Sequence, residues 1–500
     1  MGSQPTIDTE MMLDDLRSLV RIHSALPCEE SLARFIAERV RQMGVEPRID
    51  PVAPGRPNVY ATIDFGGSGP FLVFSGHSDT VPATPGWETD PLMPVEREGR
   101  LYGLGAINMK GGLACMLAAF RCLAGQGPSS ALCGRIGLAV TVDQEGESMG
   151  ARRLLATEFG GCDAMLHAEH FFGDSPRDYL PSGATGKVNV QVLLRGQAAH
   201  AFRPKEGGIN AIDDAAALID ALSRMKLGEH PDFGSATLCT LKIEGGYKQY
   251  AMVVPDRCEF MATRLLVPGE DRESAVKDLD QLARSLPLQS EVTIRTPPPY
   301  YEPYRIDTDS AFVRTFQEAY QETVGVAPTF APHRGVVDAN VFVAEGKIPT
   351  VVFGPKGANH HQPGEYVELR TLLPVARVYV KTALAYLSGG AGFYESGPVV
   401  KCTFPYFCAA SSRGTNVQTC QASIRALGSQ CPARRVTEGA TGRFGEGWLN
   451  LVERASRASP HPSSTSSRRL GQLSTQLPRR LLPFRLAGSY RTTPRARFTS

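Results

Sequence analysis

Several histidine and carboxylate residues stand at the ends of apolar, strand-like runs. His77 and Asp79 follow PFLVFSG, Glu145 follows GRIGLAVTVD, and Glu169 and His361 stand at two further boundaries, in LHAEHF and GANHHQPGEYVEL. Imidazole nitrogen and carboxylate oxygen are ligands of zinc and similar divalent ions. Singly, each residue has an ordinary structural explanation, such as a turn histidine with a capping aspartate or a solvated acid at a strand end. Together they predict a metal centre.

Elements of two kinds must position these residues, because the chain alternates between helix-like and strand-like patterns. Apolar residues at helical spacing in EESLARFIAERVRQMG and GGLACMLAAFRCLAG are separated by strand-like runs such as PFLVFSG and GRIGLAVTVD. This alternation is typical of an α/β fold. Ligands of such folds bind outside the carboxyl ends of the strands, which is where the polar residues stand here.

The alternation restarts in the middle of the chain. Residues 186–297 contain the strand KVNVQVLLRG, the helix NAIDDAAALIDALSRM and further strand and helix patterns, which are typical of a compact α+β unit. The first pattern resumes with the helix SAFVRTFQEAYQETVG. We therefore predict a discontinuous α/β catalytic domain, residues 1–185 and 298–387, interrupted by an inserted domain, residues 186–297.

The formal charge of +2 conceals two different compositions. Residues 388–500 contain one lysine and fifteen arginines against four glutamates, a net charge of +12, so that residues 1–387 carry −10. The basic segment is rich in serine, proline and glycine and has no sustained apolar period, which predicts a disordered tail. The balance of the whole chain argues against a strongly basic nucleic-acid binder.

Cysteine usage favours a reducing compartment. Seven of the 11 cysteines precede residue 388, none stands in a CxxC pair, and several lie within apolar runs. No run approaches the roughly 20 uninterrupted apolar residues of a membrane span, and the N-terminus lacks a basic-then-apolar signal pattern. We predict a cytoplasmic protein without a membrane or nucleic-acid partner.

In their order, the motifs resemble those of the M20 metallopeptidase and amidohydrolase family, which includes acetylornithine deacetylase, succinyl-diaminopimelate desuccinylase, aminoacylase-1 and glutamate carboxypeptidases. The resemblance covers about residues 10–387. It implies one or two zinc ions per chain, with cobalt as an alternative, and a small-molecule carboxylate as substrate. It also implies a homodimer formed through the inserted domain, which acts as a lid and dimerisation domain.

The resemblance further implies roles for individual residues. His77, Glu145, Glu169 and His361 fall at metal-ligand positions, and Asp79 falls where a carboxylate orients the histidine. The three neighbouring histidines, His167, His170 and His360, are interpreted as surface or bystander residues.

The inserted domain carries three more residues that match family positions. RGQAAHAFRPKEGGINAI places His200 where a histidine polarises the scissile carbonyl and Asn210 where an asparagine lines the substrate side. Arg264, in FMATRLL, matches an arginine that binds a substrate carboxylate. The alternatives are a turn-capping role for His200 and a structural ion pair for Arg264.

Two residues depart from the family pattern. Asn108 falls where a bridging aspartate binds both metals, and its single neutral carbonyl oxygen predicts a weakened site or one ion. Gln144 falls at the position of the general base, and an amide cannot accept the proton of the attacking water. Asp143 and Glu147 flank this position and are the alternatives as base.

These observations leave three functional hypotheses. The first is a zinc-dependent amidohydrolase or peptidase that acts on an N-acyl amino acid or on a small peptide with a free carboxylate. The second is an M20-like scaffold that has lost ordinary hydrolysis and catalyses amide formation, cyclisation or another acyl-group reaction. The third is a catalytically inactive binding or regulatory subunit.

Overall fold

The computed structural model describes residues 6–126, 132–173, 175, 178–249 and 252–388. The chain divides into two units, Met1–Val400 and Lys401–Ser500, and the described residues all belong to the first. This unit is a mixed α/β structure, so the predicted fold class is confirmed for it. The predicted disordered tail, residues 388–500, lies outside the described residues apart from Ser388.

The helices follow the amphipathic segments of the sequence, and four of them begin at a side chain that caps the first turn. Asp8, Asn210, Asp271 and Ser310 each accept a hydrogen bond from a backbone N–H of the helix that follows. The α-helices are α1 (Thr9–Arg21), α2 (Glu30–Gln42), α3 (Gly111–Ala124), α4 (Met149–Leu155), α5 (Ala211–Ser223), α6 (Arg272–Ser285), α7 (Ala311–Val324) and α8 (Leu369–Ser388). Shorter turns of π or 3-10 type are Ala106–Lys110, Glu158–Gly161 and Asn340–Glu345.

The strands form one central sheet, one sheet in the middle of the chain and three small sheets. They are β1 (Arg48–Ala53), β2 (Arg56–Asp64), β3 (Phe71–His77), β4 (Val95–Arg97), β5 (Arg100–Tyr102), β6 (Arg135–Thr141), β7 (Ala164–His167), β8 (Leu180–Ala184), β9 (Gly186–Arg195), β10 (Glu229–His230), β11 (Gly234–Ser235), β12 (Thr237–Gly245), β13 (Arg257–Leu266), β14 (Glu291–Arg295), β15 (Tyr300–Tyr301), β16 (Tyr304–Arg305), β17 (Phe330–His333), β18 (Thr350–Val352), β19 (Gly357–Ala358) and β20 (Tyr366–Glu368).

The central sheet has the strand order β1-β2-β6-β3-β7-β18, in which β6, β3, β7 and β18 are parallel. Successive residues of β3 enter different cores. Leu72 and Phe74 belong to the core that contains α1, α2, α3, α7 and α8, whereas Phe71 and Val73 belong to the core beside α4. The parallel strands are therefore covered on both faces, which explains why their sequences are almost continuously apolar.

A separate core lies in the middle of the chain. Strands β12-β13-β9-β14 form an antiparallel sheet, and β15 also pairs with β9. The alternate residues of β9 that point inwards, Val188, Val190, Val192 and Leu194, pack with residues of α5 and α6. The boundaries of an inserted domain at residues 186 and 297 stay a prediction.

Helix α3 begins close to the strand that precedes Glu169. A Cβ atom at Gly112 would lie 1.9 Å from the carbonyl oxygen of Ala168, so only glycine permits this approach. Together with the preceding turn, α3 forms the stretch Ala106–Ala124, which is long and apolar enough to cross a membrane. However, 94% of its apolar 18-residue segment is buried within the protein. We therefore assign it to the core.

A buried ion-pair network connects α2, β2 and the loop after β6. The Nε atom of Arg56 donates to both carboxylate oxygens of Glu29, at 2.9 Å each, and its Nη2 atom donates to Asp143 Oδ1 at 2.7 Å. Burial raises the pKa of Glu29, and the adjacent guanidinium counteracts this shift. The arginine thus neutralises two carboxylates that have little access to water.

We expect Arg56→Met to lower the free energy of unfolding by about 3–5 kcal/mol, because it leaves two buried carboxylates without a cation. Urea denaturation followed by circular dichroism measures the change. Arg34→Met is the matched control, because the Arg34–Glu30 pair is exposed and such pairs contribute about 1 kcal/mol or less. Equal losses for the two variants would contradict the assignment of the Arg56 network as a stabilising element.

Candidate metal centre

Three neighbouring parallel strands deliver predicted site residues to one edge of the central sheet. His77 is the last residue of β3, Glu145 stands in the turn after β6, and Glu169 is the second residue after β7. The carboxyl ends of β6, β3 and β7 lie side by side in the order of the sheet. The structure therefore brings these side chains to the place where α/β folds bind ligands.

Asp79 joins two of these strand ends through its carboxylate. Its Oδ1 accepts a hydrogen bond from the Gln144 backbone N–H at 3.1 Å, and its Oδ2 accepts one from Glu145 at 2.8 Å. The Nδ1 atom of His77 lies 3.0 Å from the Asp79 carbonyl oxygen and 3.5 Å from Oδ1. These contacts hold the imidazole so that Nε2 points away from Asp79, as in metal-binding histidines.

The Nε2 atom of His77 and the Oε2 atom of Glu169 face each other, and both lack a hydrogen-bond partner. The two atoms are buried and lie 3.5 Å apart. Two ligands that share a tetrahedral zinc ion at about 2.1 Å lie roughly 3.4 Å from each other. The separation and the unsatisfied state of this pair therefore fit ligands of one divalent ion.

Buried negative charge also favours a cation here. Burial would raise the pKa of Glu169, but His167, His170 and His77 outweigh it and hold that pKa well below its usual range. Burial would also raise the pKa of Asp79, but the contacts of Asp79 with His77 and with two backbone N–H groups outweigh burial and lower that pKa. The two carboxylates are thus charged within the protein, and they raise the pKa of His77 against the effect of burial.

His167 is a buried member of this group, and its interpretation as a surface residue is wrong. Its side chain is fully buried, with Nδ1 3.0 Å from Ser75 Oγ and Nε2 3.5 Å from Glu169 Oε2. The signal that sequence reasoning missed is its position as the last residue of β7, a parallel strand covered on both faces. His170 lies nearer the surface, and its Nδ1 is 3.0 Å from Glu169 Oε1.

Asn108, Glu145 and His361 form a second group with different geometry. The Nδ2 atom of Asn108 lies 2.6 Å from Glu145 Oε1 and 2.9 Å from His361 Nε2. Glu145 Oε1 and His361 Nε2 lie 2.7 Å from each other. The Oδ1 atom of Asn108 is buried and has no hydrogen-bond partner. Glu145 Oε1 is therefore the acceptor at the middle of this group, with the Asn108 amide and His361 Nε2 as donors.

Glu365 holds the backbone on which Asn108 stands. Its carboxylate accepts hydrogen bonds from the backbone N–H groups of Gly105 at 2.8 Å, Ile107 at 3.1 Å and Asn108 at 3.0 Å. Burial raises the pKa of Glu365, and these three donors partly offset that shift. The sequence analysis assigned no role to Glu365, so this anchoring role was missed.

The two groups together do not amount to a full set of charged ligands. Among the described residues, no group of three or more His, Cys, Asp or Glu side chains is arranged to hold a metal ion. The His77–Glu169 pair has unpartnered, buried atoms and fits an ion. The Glu145–His361 pair does not fit one as it stands, because an N–H donor occupies the space beside both atoms.

Of the two carboxylates that could replace Gln144 as a base, Asp143 is committed to other contacts. The Oε1 atom of Gln144 is buried without a partner. Asp143, one of the two alternatives, accepts from Arg56 through Oδ1 and from the backbone N–H groups of Glu147 and Met149 through Oδ2. Its carboxylate is therefore committed to structure. Glu147 is half-buried and stays the other alternative.

His200 and Asn210 are near one another in the chain but serve local structure here. His200 is exposed, and its Nδ1 accepts a hydrogen bond from the Phe202 backbone N–H at 3.2 Å. Asn210 caps α5 through Oδ1 and donates to Asp213 at 2.8 Å. Neither residue has a contact with the metal-centre residues among those described, so their predicted substrate-side roles stay predictions.

Arg264 has the structural role that the sequence left open as its alternative. The guanidinium is buried, with Nη2 2.6 Å from Glu270 Oε1 and Nη1 3.0 Å from Asp278 Oδ2. Both terminal nitrogens hold carboxylates of the same sheet-and-helix unit. The ion pairs agree with the structural alternative, and the predicted binding of a substrate carboxylate by Arg264 stays a prediction.

His360 is exposed and contacts other aromatic rings rather than a carboxylate. Its ring centroid lies 4.9 Å from that of His170 and 5.3 Å from that of His361. Burial and the neighbouring histidines lower the pKa of His360. These contacts agree with its interpretation as a neighbour of the ligand position.

Curated proteins of similar sequence are desuccinylases. The chain is 25% identical over 346 residues to a succinyl-diaminopimelate desuccinylase of Sulfurovum sp. The matched region covers 67% of this chain and 89% of the relative. It is 29% identical over 390 residues to the same enzyme of Methylorubrum extorquens. This match covers 74% of this chain and 97% of the relative. The chain therefore spans nearly the whole length of these relatives.

Solved structures of similar fold include peptidases. Aminopeptidase PepT of Bacillus cereus superposes with a TM-score of 0.62 at 22% identity, covering 76% of this chain and 99% of that structure. A dinuclear metal-binding M20 peptidase of Bacillus subtilis superposes with a TM-score of 0.56 at 17% identity, covering 76% and 98%. The sequence model of peptidase family M20/M25/M40 matches residues 73–385, more than half of the chain. The chain thus belongs to peptidase family M20/M25/M40, whose members are metal-dependent, and is an amide-bond hydrolase of the M20 type.

Proposed function

We propose that this chain hydrolyses the amide bond of an N-acyl amino acid, or of a small peptide with a free carboxylate, with zinc as the metal and cobalt as an alternative. The observation that carries the proposal is the buried pair of His77 Nε2 and Glu169 Oε2, which lie 3.5 Å apart and have no hydrogen-bond partner. The relatives are named for removing a succinyl group from diaminopimelate, an amino acid, which supports an acylated amino acid as the substrate class.

Each residue of the centre has a separate task in this proposal. A divalent ion held by His77 and Glu169 would polarise the scissile carbonyl and activate water. Asp79 orients His77 and fixes the backbone of Gln144 and Glu145. Gln144 accepts no proton, because its side chain is an amide. Proton transfer therefore lacks a carboxylate at this position, and we expect slow turnover.

Gln144 also favours a second candidate function. A base at this position contributes about 10²- to 10⁴-fold to the rate of hydrolysis, and the flanking Asp143 carboxylate is held by Arg56. A scaffold that binds acyl substrates without efficient hydrolysis suits amide formation, cyclisation or another acyl-group reaction. The two functions differ in whether water or an amine is the acceptor of the acyl group.

We expect the purified protein to hydrolyse members of a panel of N-succinyl and N-acetyl amino acids and dipeptides, and a chelator to abolish this activity. Gln144→Glu is expected to raise kcat by about 10²-fold or more, because it restores a proton acceptor. Amine release measured over a range of substrate concentrations gives kcat. Gln321→Glu, on the exposed surface of α7, is the matched control and leaves kcat unchanged.

Three results would contradict parts of this proposal. Activity that survives complete metal removal would exclude the metal-dependent mechanism. Absence of hydrolysis in both the native protein and Gln144→Glu would contradict hydrolysis as the function. Amide formation from an amine and an acyl donor would then identify the second candidate, and its absence would indicate the inactive binding or regulatory subunit.

We further propose a cytoplasmic homodimer that pairs through strand β12. This strand is at the edge of its sheet, and Leu241 and Ile243 on it are 57% and 50% exposed. Exposed apolar side chains on an unpaired strand edge favour pairing with a second copy. The seven cysteines of the described residues are all free, which supports a reducing compartment.

Light scattering after size-exclusion chromatography tests the dimer. We expect the native protein to have twice the mass of the chain and Ile243→Asp to dissociate it, because the charge would be buried between two strands. Ile49→Asp, on β1 at the edge of the central sheet, is a matched control for an exposed isoleucine and leaves the dimer intact. A monomeric native protein would contradict the proposal, as would dissociation by both substitutions.

A further inference from the structure

The two halves of the metal centre differ in how their atoms are spaced. His77 Nε2 and Glu169 Oε2 lie 3.5 Å apart, and neither has a hydrogen-bond partner. Glu145 Oε1 and His361 Nε2 lie 2.7 Å apart, which is the distance of a hydrogen bond. Ligands that share a zinc ion at about 2.1 Å lie roughly 3.4 Å apart. Only the first pair has the spacing of two ligands around an ion.

The amide of Asn108 stands against the second pair. Its Nδ2 atom is 2.6 Å from Glu145 Oε1 and 2.9 Å from His361 Nε2, so it contacts both atoms at once. An asparagine amide has two N–H donors on this nitrogen and no lone pair to offer a metal there. The amide therefore donates to Glu145 Oε1, and His361 Nε2, as the donor of the 2.7 Å hydrogen bond to the same oxygen, has no lone pair free for a cation.

The backbone does not allow Asn108 to withdraw easily. Its own N–H and those of Gly105 and Ile107 are held by the buried Glu365 carboxylate. Rotation of the amide about its last bond would direct Oδ1 towards Glu145 Oε1 and oppose two oxygen acceptors. The orientation with Nδ2 towards Glu145 is thus the one in which the amide donates to that carboxylate.

We infer that this chain binds one divalent ion, at His77 and Glu169, and that hydrogen bonds from the Asn108 amide and from His361 to Glu145 Oε1 take the place of a second ion. The inference deepens the proposed function, on which it rests for the presence of a metal. It assigns Glu145 and His361 to a hydrogen-bonded pair rather than to ligands. The site is then a single-ion centre with a neutral amide beside it.

Metal counting tests this inference without any measurement of turnover. The full-length protein is freed of metal with a chelator, titrated with Zn²⁺ in a calorimeter, and analysed for bound zinc by mass spectrometry. We expect one ion per chain for the native protein and two for Asn108→Asp, because a carboxylate offers an oxygen to each ion. Asn359→Asp adds the same charge two residues from His361 and is expected to keep one ion.

Two further substitutions identify which side of the centre holds the ion. Glu169→Gln is expected to weaken zinc binding by more than about 100-fold, because it removes a ligand. Glu145→Gln is expected to leave the single ion in place with a dissociation constant within about threefold of the native value. Thermal unfolding of each metal-free variant establishes that it is folded, and the native ion count decides the matter if Asn108→Asp does not fold.

The possible results separate this inference from the proposed function. Two ions, or none, bound to the native protein would overturn the inference, as would loss of the ion in Glu145→Gln. One ion together with no hydrolysis of any amide substrate would support the inference and contradict the proposed function. Hydrolysis by a native protein that binds two ions would support the proposed function and contradict the inference.

Discussion

The geometry of the metal centre depends on one buried carboxylate, that of Asp79. Its two oxygens accept the backbone N–H groups of Gln144 and Glu145, and its main chain and carboxylate lie beside Nδ1 of His77. The ends of β3 and β6 are thereby held in one arrangement. A neutral side chain of the same size would satisfy these donors less well, since hydrogen bonds to a charged acceptor contribute about 1.5–3 kcal/mol each.

The same device recurs around the centre. Asp143 accepts two backbone N–H groups of the turn that leads into α4, and Glu365 accepts three in the turn that carries Asn108. Each of these carboxylates is buried and binds backbone rather than substrate. The loops at the strand ends are therefore ordered by charge inside the protein, which leaves the side chains they carry free to vary.

The sequence predicted the general architecture better than the individual partners. The alternation of helix and strand patterns led to the α/β fold, and the positions of His77, Glu145 and Glu169 after apolar runs led to the edge of the sheet. Local sequence patterns do not predict which charged residues pair across long distances in the chain. Nothing near Arg264 in the sequence distinguishes a substrate-binding arginine from one that pairs with Glu270 and Asp278, and Arg56 is 87 residues from Asp143.

The wide separation of the site residues along the chain has a kinetic consequence. Glu145 and His361 are 216 residues apart, and the anchoring carboxylate of Glu365 is 257 residues from Asn108. Contacts of such high sequence separation form late in folding, because the entropy of closing the intervening chain must be overcome first. The Glu145–His361 contact and the anchoring of Asn108 are thus completed only when β20 has docked beside β5.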